Sequence, residues 1–155
     1  MSTDSGHFPK HGQGKRRTLL AAMFILLLFS MGLTQAGEVV IIAHPGTDAR
    51  TFSRNTARLL FSQKRNRWKN GQPVHVYVLE DDHPVHREFS RRILKLYPRQ
   101  LRRIWDIRTY SGTGQAPRTV YSVREMLEQV ASQPGAIGYA PKDQIDGRVK
   151  VIEVK

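Results

Sequence analysis

Residues 122–140, SVREMLEQVASQPGAIGYA, contain a predicted helix, a turn and a strand in immediate succession. Ser122 and Glu125 stand three residues apart, which is the spacing of a capping box at the start of a helix. The inner face of this helix is expected to carry the apolar residues that recur at helical spacing: Val123, Met126, Leu127 and Val130. Gln133-Pro134-Gly135 ends the helix, and Ala136 to Ala140 follows as a strand. A helix that leads directly into a strand predicts an α/β fold.

The same alternation extends over the rest of the chain from residue 37. Strands are predicted over three further apolar segments: Glu38–Ala43, Val74–Leu79 and Val149–Val154. Helices are predicted from the N-cap Ser53 to about Gln63, from about Pro84 to Leu96, and from Pro98 to about Arg108. The inner face of the second of these helices is predicted to hold Val85, Phe89, Ile93 and Leu96. Strands and helices in this order predict an α/β sandwich, with a mixed or parallel sheet flanked by helices.

Residues 1–36 are expected to be a secretory signal peptide. The n-region, residues 1–17, is polar and ends in the basic cluster Lys15-Arg16-Arg17, and the h-region, residues 19–33, is almost purely apolar. This apolar stretch is shorter than the ~20 residues of a relaxed transmembrane helix. Cleavage is therefore predicted between Ala36 and Gly37, and an uncleaved N-terminal membrane anchor is the alternative. Residues 37–155 are predicted to be a single domain that works in the periplasm.

The chain is strongly basic and contains no cysteine. Its 25 Lys and Arg residues against 13 Asp and Glu residues give a formal net charge of +12. Residues 1–36 hold four of the basic and one of the acidic residues, so residues 37–155 carry +9. Such a charge attracts anions of every kind, but export argues against nucleic acid, and no nucleic-acid partner is predicted. Without cysteine, the exported domain must rest on its apolar core alone.

Several short motifs along residues 38–155 occur in the order found in one family. In chain order they are Leu60-Phe61, Trp68 with Asn70-Gly71-Gln72-Pro73, Arg87-Glu88-Phe89, Trp105, Tyr110-Ser111-Gly112, Pro117, and the run from Val130 to Tyr139 that contains Pro-Gly-Ala-Ile-Gly-Tyr. This order resembles the phosphate-binding-protein-like family, the periplasmic solute-binding proteins of phosphate ABC transporters. It is most similar to the short, single-domain members of Gram-negative bacteria. The resemblance implies a type II periplasmic-binding-protein fold, reduced mostly to one of its two lobes.

The resemblance also implies where an anion would bind. Full-length phosphate binders hold the anion with a Ser-Gly-Thr sequence at the start of the helix after the alternating strand, and with an arginine just before it. The matching positions here are His83-Pro84-Val85 and Leu79, so the hydroxyls and the arginine are replaced. A helix N-terminus still offers free N–H groups and a positive dipole end. The candidate ligand-binding residues are His83, Val85, His86 and Arg87, for phosphate or another small anion.

The alternative interpretation of the same residues is a plain helix start. In that case His83 is a surface cap and Arg87 pairs with Asp81 or Asp82, two acids that would also repel an anion. Protonation of the histidines at mildly acidic pH would strengthen anion binding in the first interpretation. The Ser111-Gly112-Thr113-Gly114 sequence contains the letters Ser-Gly-Thr, but it precedes no immediate helix start and is interpreted as a loop.

No other residue pattern indicates a catalytic site, a metal or a cofactor. His83 and His86 have the spacing of a shared helix face with Asp82 nearby, but no further histidine or cysteine cluster completes a metal site. No Ser-His-Asp arrangement, nucleotide loop or pair of catalytic carboxylates stands out. The chain is therefore predicted not to be an enzyme, with no catalytic residue, no metal and no cofactor.

Two functions follow from the sequence. The first is a solute-binding protein that captures a small anion for an inner-membrane ABC permease, with a homodimer as one way to rebuild a two-sided cleft. The second is an interaction or sensor module that keeps the fold, has lost the phosphate site and docks on a membrane or sensor protein. Its docking surface would be an arginine face made of Arg91, Arg92, Arg99, Arg102, Arg103 and Arg108. Trp68 and Trp105 are interpreted as packing residues.

Overall fold

A computed structural model of the chain describes Met1 and residues 37–155. The predicted signal peptide, apart from Met1, lies outside the described residues, so the n-region, the h-region and the cleavage site stay predictions. Residues 37–155 belong to one compact unit. Within the described part of the chain, no helix is both long and apolar enough to span a bilayer.

Strands and helices alternate along residues 37–155, close to the predicted positions. The strands are β1 (Val39–Ala43), β2 (Thr51–Phe52), β3 (His75–Leu79), β4 (Arg118–Val120), β5 (Ala136–Pro141) and β6 (Lys150–Val154). The α-helices are α1 (Arg54–Phe61), α2 (Pro84–Glu88), α3 (Pro98–Tyr110) and α4 (Val123–Ser132). A π-helical segment, Phe89–Leu94, continues α2, and a short 3-10 turn, Lys142–Gln144, follows β5. The sequence pattern did not predict β2 and β4, which have only two and three residues.

The strands form one mixed sheet in the order β2-β6-β1-β5-β3-β4. The second and third neighbour pairs, β6-β1 and β1-β5, are antiparallel. The other three pairs, β2-β6, β5-β3 and β3-β4, are parallel. Helices flank this sheet, so the predicted α/β class with a mixed sheet is confirmed. Strand β3 is buried along nearly its whole length because it is internal, and its alternating sequence does not mark a solvent-facing side.

The core is built around an aromatic cluster between the sheet and the helices. Phe89 stacks on Tyr139 with ring centroids 3.9 Å apart, and Phe61 meets Phe89 edge-on at 4.6 Å. Trp105 of α3 is fully buried, and its indole N–H donates to the carbonyl of Phe61 at 2.8 Å. Its interpretation as a packing residue is confirmed. This cluster fixes the segment after β3 against β5, which positions the candidate site.

The helix after Pro84 differs from its prediction in winding and in its inner face. It begins at Pro84 as expected, but from Phe89 it widens into the π-helical segment. Leu94 is fully buried, while Val85, Ile93 and Leu96, predicted to face inward, are only partly buried. A π-helix bonds i to i+5 rather than to i+4, so positions after Phe89 rotate away from the face that a 3.6-residue period predicts.

The Pro134-Gly135 turn joins α4 to β5 as predicted. Gly135 has a φ of +79°, a left-handed conformation that favours glycine. The carbonyl of Gly135 accepts hydrogen bonds from the His75 N–H at 3.1 Å and from the Trp68 indole at 3.0 Å. This turn therefore ties β3 and the loop that carries Trp68 to the start of β5.

Candidate functional site

The predicted anion site lies at one edge of the sheet, where two parallel strands end side by side. Strand β3 leads into the turn Glu80-Asp81-Asp82 and then α2, and β4 leads through Tyr121 into α4. Because β3 and β4 are parallel neighbours, both helices begin at this edge. Ligands in open α/β sheets bind outside the carboxyl ends of the strands. The geometry of these two helix starts decides what this edge can bind.

The start of α2 is closed by its own cap. His83 is the N-cap, and its Nδ1 accepts a hydrogen bond from the Val85 N–H at 3.2 Å. Pro84 has no N–H to offer, and the Arg87 N–H donates to the carbonyl of His83 at 3.1 Å. His83 thus acts as the cap of the helix-start interpretation, and the Val85 N–H is engaged within the protein.

Asp81 pairs with an arginine that the sequence did not assign to it. Arg102 of α3 donates to the Asp81 carboxylate through Nε and Nη2, both at 2.9 Å. This hydrogen bond raises the pKa of Arg102 above its usual value. The Arg102 guanidinium also lies 5.1 Å from the centroid of Trp105. Arg87 is exposed, and the ion pairs within residues 37–155 do not include it.

His86 lies in the core, where its ring is fixed by a chain of hydrogen bonds. The side chain is fully buried, and its Nδ1 lies 2.5 Å from the Tyr139 hydroxyl. The same hydroxyl accepts the Leu79 N–H at 2.8 Å. The hydroxyl that accepts from Leu79 also has a proton to donate, and Nδ1 of His86 is in position to accept it. This arrangement corresponds to the His86 tautomer that carries its proton on Nε2.

The Nε2 of His86 faces Asp81. The distance from Nε2 to Asp81 Oδ1 is 3.9 Å, and Nε2 has no hydrogen-bond partner in the described part of the chain. Burial lowers the pKa of His86 to about 4, against the opposing attraction of Asp81, while Arg102 and His83 lower it further. Burial likewise raises the pKa of Tyr139. His86 is therefore a neutral core residue near neutral pH.

The start of α4 also binds two N–H groups within the protein, and it carries a carboxylate. The Ser122 hydroxyl accepts the Glu125 N–H at 3.1 Å, and the Glu125 carboxylate accepts the Tyr121 N–H at 2.8 Å. The N-cap predicted at Ser122 is confirmed, but the Glu125 carboxylate bonds the N–H of Tyr121 rather than that of Ser122, which a capping box would bond. The Glu125 carboxylate lies in the first turn, at the positive end of this helix, so the turn is poorly suited to a second anion.

Between the two helix starts lies a shallow depression of about 440 Å³. It is lined by Glu80, Asp81, Asp82, Arg102, Thr119 and Tyr121. Three carboxylates face one guanidinium there, and that guanidinium is bound to Asp81. Carboxylates repel a phosphate, and among the residues that the structure describes the one arginine lining the depression is already paired with Asp81. This edge of the sheet keeps the strand-and-helix topology of an anion site, but its charge is negative, whereas an anion site needs positive charge.

The Ser-Gly-Thr letters of the loop after α3 have a plain structural role. The loop Ser111-Gly112-Thr113-Gly114 follows the end of α3, and Gly112 has a φ of +67°. Its Thr113 N–H donates to the carbonyl of Arg108, and no helix begins there, in agreement with the loop interpretation. Among the residues that the structure describes, no group of three or more His, Asp or Glu side chains is placed to hold a metal ion.

The comparisons with known proteins identify the fold. No protein-family model and no curated protein matches the chain. A protein of Clostridium perfringens assigned as a phosphate ABC transporter substrate-binding protein, with bound phosphate, matches with a TM-score of 0.62 and 16% identity over 76% of this chain and 45% of that one. PstS of Borrelia burgdorferi matches with a TM-score of 0.58 and 14% identity, over 77% of this chain and 47% of that one. An ABC-type phosphate transport receptor of Vibrio cholerae matches with a TM-score of 0.55 and 14% identity, over 76% of this chain and 46% of that one.

The fold is thus that of a periplasmic-binding-protein-like domain. More particularly, the chain is structurally similar to phosphate ABC transporter substrate-binding proteins, as its motifs predicted. The chain spans less than half the length of these structures. At 14–16% identity the likeness establishes the fold alone.

Proposed function

We propose that this protein is a periplasmic binding module that keeps the phosphate-binding fold and acts by docking to another protein. The observation that carries this proposal is the acidic, internally capped edge at the starts of α2 and α4. The His83 imidazole accepts a hydrogen bond from the Val85 N–H, and the Glu125 carboxylate lies at the start of α4. Three carboxylates line the depression between the two helix starts. A site that retained phosphate capture would need free donors and positive charge at this edge. The structural neighbours are binding proteins, which supports a non-enzymatic role.

The docking surface proposed is the outer face of α3, formed by Arg99, Arg103, Ile107 and Tyr110. These residues are spaced four, four and three apart, so they lie along one side of the helix. Ile107 is 57% exposed and Tyr110 is 90% exposed. Arg99 and Arg103 are exposed, and the ion pairs formed within residues 37–155 leave them out. Exposed tyrosine and arginine around an apolar residue have the composition of a protein interface.

Three arginines of the arginine face predicted from the sequence are left out of this docking surface. Arg92 pairs with Glu88 at 2.7 Å, and Arg102 is bound to Asp81. Arg108 donates to the Thr113 carbonyl at 2.8 Å. These three arginines have partners inside the protein, whereas the outer face of α3 offers unshared charge. A partner with an acidic surface is therefore proposed, since complementary charge speeds and orients association.

A photo-crosslinking residue at position 107 is expected to trap one discrete partner in intact cells. The matched control is the same residue at Val151 of β6, which is also a partly exposed apolar position, at 39%. Adding Arg103→Glu to the position-107 variant should reduce the adduct about tenfold, because it places a negative charge against an acidic partner. Equal adducts at positions 107 and 151, or an adduct unaffected by Arg103→Glu, would contradict this docking surface.

Solute binding is the second candidate, and the shared fold supports it. In this function His83, Val85, His86 and Arg87 hold phosphate or another small anion, which an inner-membrane ABC permease then receives. Arg87 is the one member of this set whose side chain is exposed and charged. The buried imidazole of His86 would have to act through its neighbours rather than by contact. A homodimer that completes a two-sided cleft belongs to this candidate, and sedimentation equilibrium with and without phosphate tests it.

Isothermal titration with phosphate in low salt separates the two functions. At millimolar phosphate, at neutral or mildly acidic pH, we expect no saturable binding that Arg87→Ala weakens, because the acidic edge at the start of α2 repels the anion. Saturable one-site binding that Arg87→Ala weakens and Arg118→Ala leaves unchanged would instead establish the solute-binding function. Arg118 is a suitable control because it is exposed and lies on β4 rather than at the start of α2.

A further inference from the structure

A second cleft, of about 520 Å³, lies at the opposite edge of the sheet, beside β2. One wall is the segment from the end of the β1 loop to the first turn of α1, and the other is the basic loop before β3. Its lining residues include Thr47, Arg50, Phe52, Arg65, Trp68 and Lys69. This volume is in the range of pockets that hold small organic ligands.

The floor of the cleft is aromatic and rigid. Phe52 and Trp68 stack with ring centroids 6.0 Å apart and planes 24° from parallel. Trp68 is only partly buried, and its indole N–H is held by the Gly135 carbonyl at 3.0 Å. Trp68 therefore presents a fixed ring surface to the cleft, on which an apolar or aromatic body can pack.

The rim of the cleft is positive. Among the residues that the structure describes, four cations line it, Arg50, Arg65, Arg67 and Lys69, with Asp48 as the single acidic residue. The ion pairs of the described chain include none of these five residues. Arg67 donates to the neutral carbonyl of Gly71 at 2.8 Å, so its charge also stays unneutralised. The cleft thus has the positive charge that the edge of the sheet at the start of α2 lacks.

A buried hydroxyl without a partner adds an independent observation. Thr47 lines the cleft and is only 4% exposed, yet its Oγ1 has no hydrogen-bond partner within residues 37–155. Its carbonyl accepts a hydrogen bond from the Lys150 ammonium, which fixes the backbone of this loop. A buried hydroxyl that lacks a partner is costly, and a ligand oxygen in the cleft would satisfy it.

We propose that this cleft binds a small organic anion with an aromatic body and a phosphate or carboxylate head. The aromatic body packs on Phe52 and Trp68, and the anionic head lies among the rim cations near Thr47. This ligand differs from a bare inorganic anion because the floor is apolar. It also differs from a neutral aromatic compound because the rim carries unpaired charge.

Titration of the purified full-length chain with naphthyl phosphate, followed by NMR, tests the proposal. The chain has two tryptophans, so two indole N–H signals are expected. We expect the Trp68 signal to shift saturably, while the signal of fully buried Trp105 stays in place. Inorganic phosphate and naphthol at the same concentration should each bind on the order of tenfold more weakly, because each lacks one half of the recognition.

Two variants and a control locate the site. Arg50→Gln with Lys69→Gln removes two rim charges and should weaken binding on the order of tenfold. Thr47→Val removes the hydroxyl at constant shape and should weaken it about fivefold. Arg118→Gln with Arg124→Gln removes two exposed charges elsewhere and should leave the affinity unchanged. An unmoved Trp68 signal at millimolar probe, or equal losses in the rim and control variants, would overturn the proposal. Neither result depends on the outer face of α3.

Discussion

Gly135→Ala is expected to lower the free energy of unfolding by about 3 kcal/mol or more. A Cβ at this position would lie 2.3 Å from the carbonyl oxygen of Pro73, a backbone atom that cannot rotate away. The φ of +79° adds the strain of a left-handed alanine. The Gly135 carbonyl also accepts hydrogen bonds from the Trp68 indole and the His75 N–H. Displacement of this turn would therefore loosen both the aromatic floor of the cleft beside β2 and the start of β3. Urea unfolding measures the change.

Gly147→Ala is the matched control for that measurement. Gly147 has nearly the same φ, +80°, but its added Cβ would meet nothing within 4 Å. It should therefore show only the conformational cost, of about 1 kcal/mol. The difference between the two variants isolates the collision with Pro73. Equal losses for both would mean that the turn moves aside without cost, and that it does not anchor the loop that carries Trp68.

Lowering the pH from about 7 to about 5 is expected to reduce the free energy of unfolding by about 2 kcal/mol through His86 alone. Burial lowers the pKa of His86 from 6.5 to about 4 in the folded chain. The unfolded chain therefore binds a proton at a higher pH than the folded chain does. The stability contributed by the neutral imidazole is full above about pH 6.5, and it is lost progressively as the pH falls towards 4.

His86→Gln should flatten this pH dependence, since it removes the titrating group and keeps a polar side chain towards Tyr139. His83→Gln is the control, because His83 is partly exposed at the helix start. It should keep most of the pH dependence of the unmodified chain. Urea midpoints at both pH values for the three chains provide the measurement. A slope that survives unchanged in His86→Gln would show that His86 does not cause the pH dependence.

Much of the fold was predictable from the sequence because its signals are local. The N-caps Ser53 and Ser122 and the turn at Gly135 occur where the residue types predicted them. Strands β2 and β4 were missed because two or three residues carry no periodicity. The buried face of the π-helical segment after α2 was missed because a π-helix breaks the period on which the prediction depends.

The candidate site was less predictable because its character depends on side-chain packing. His86 was assigned to an anion site, but it lies with Phe89 on the buried side of the helix. The three-residue spacing between them was an available signal. The pairing of Asp81 with Arg102 spans 21 positions, and no local pattern indicates it. The cleft beside β2 was missed because Trp68 was interpreted only as packing, although the basic residues around it in Lys64–Lys69 were visible.

Chain length matters as much as residue type in the π-helical segment Phe89–Leu94. Side chains bind carbonyl groups at and just after the end of this segment: Arg58 donates to the carbonyl of Leu94 at 2.6 Å, and the Ser90 hydroxyl donates to that of Leu96 at 2.7 Å. Removing one residue between Glu88 and Leu94 would restore ordinary α-helical winding and carry Leu94 away from Arg58. Related chains one residue shorter here are therefore expected to lack an arginine at the position of Arg58.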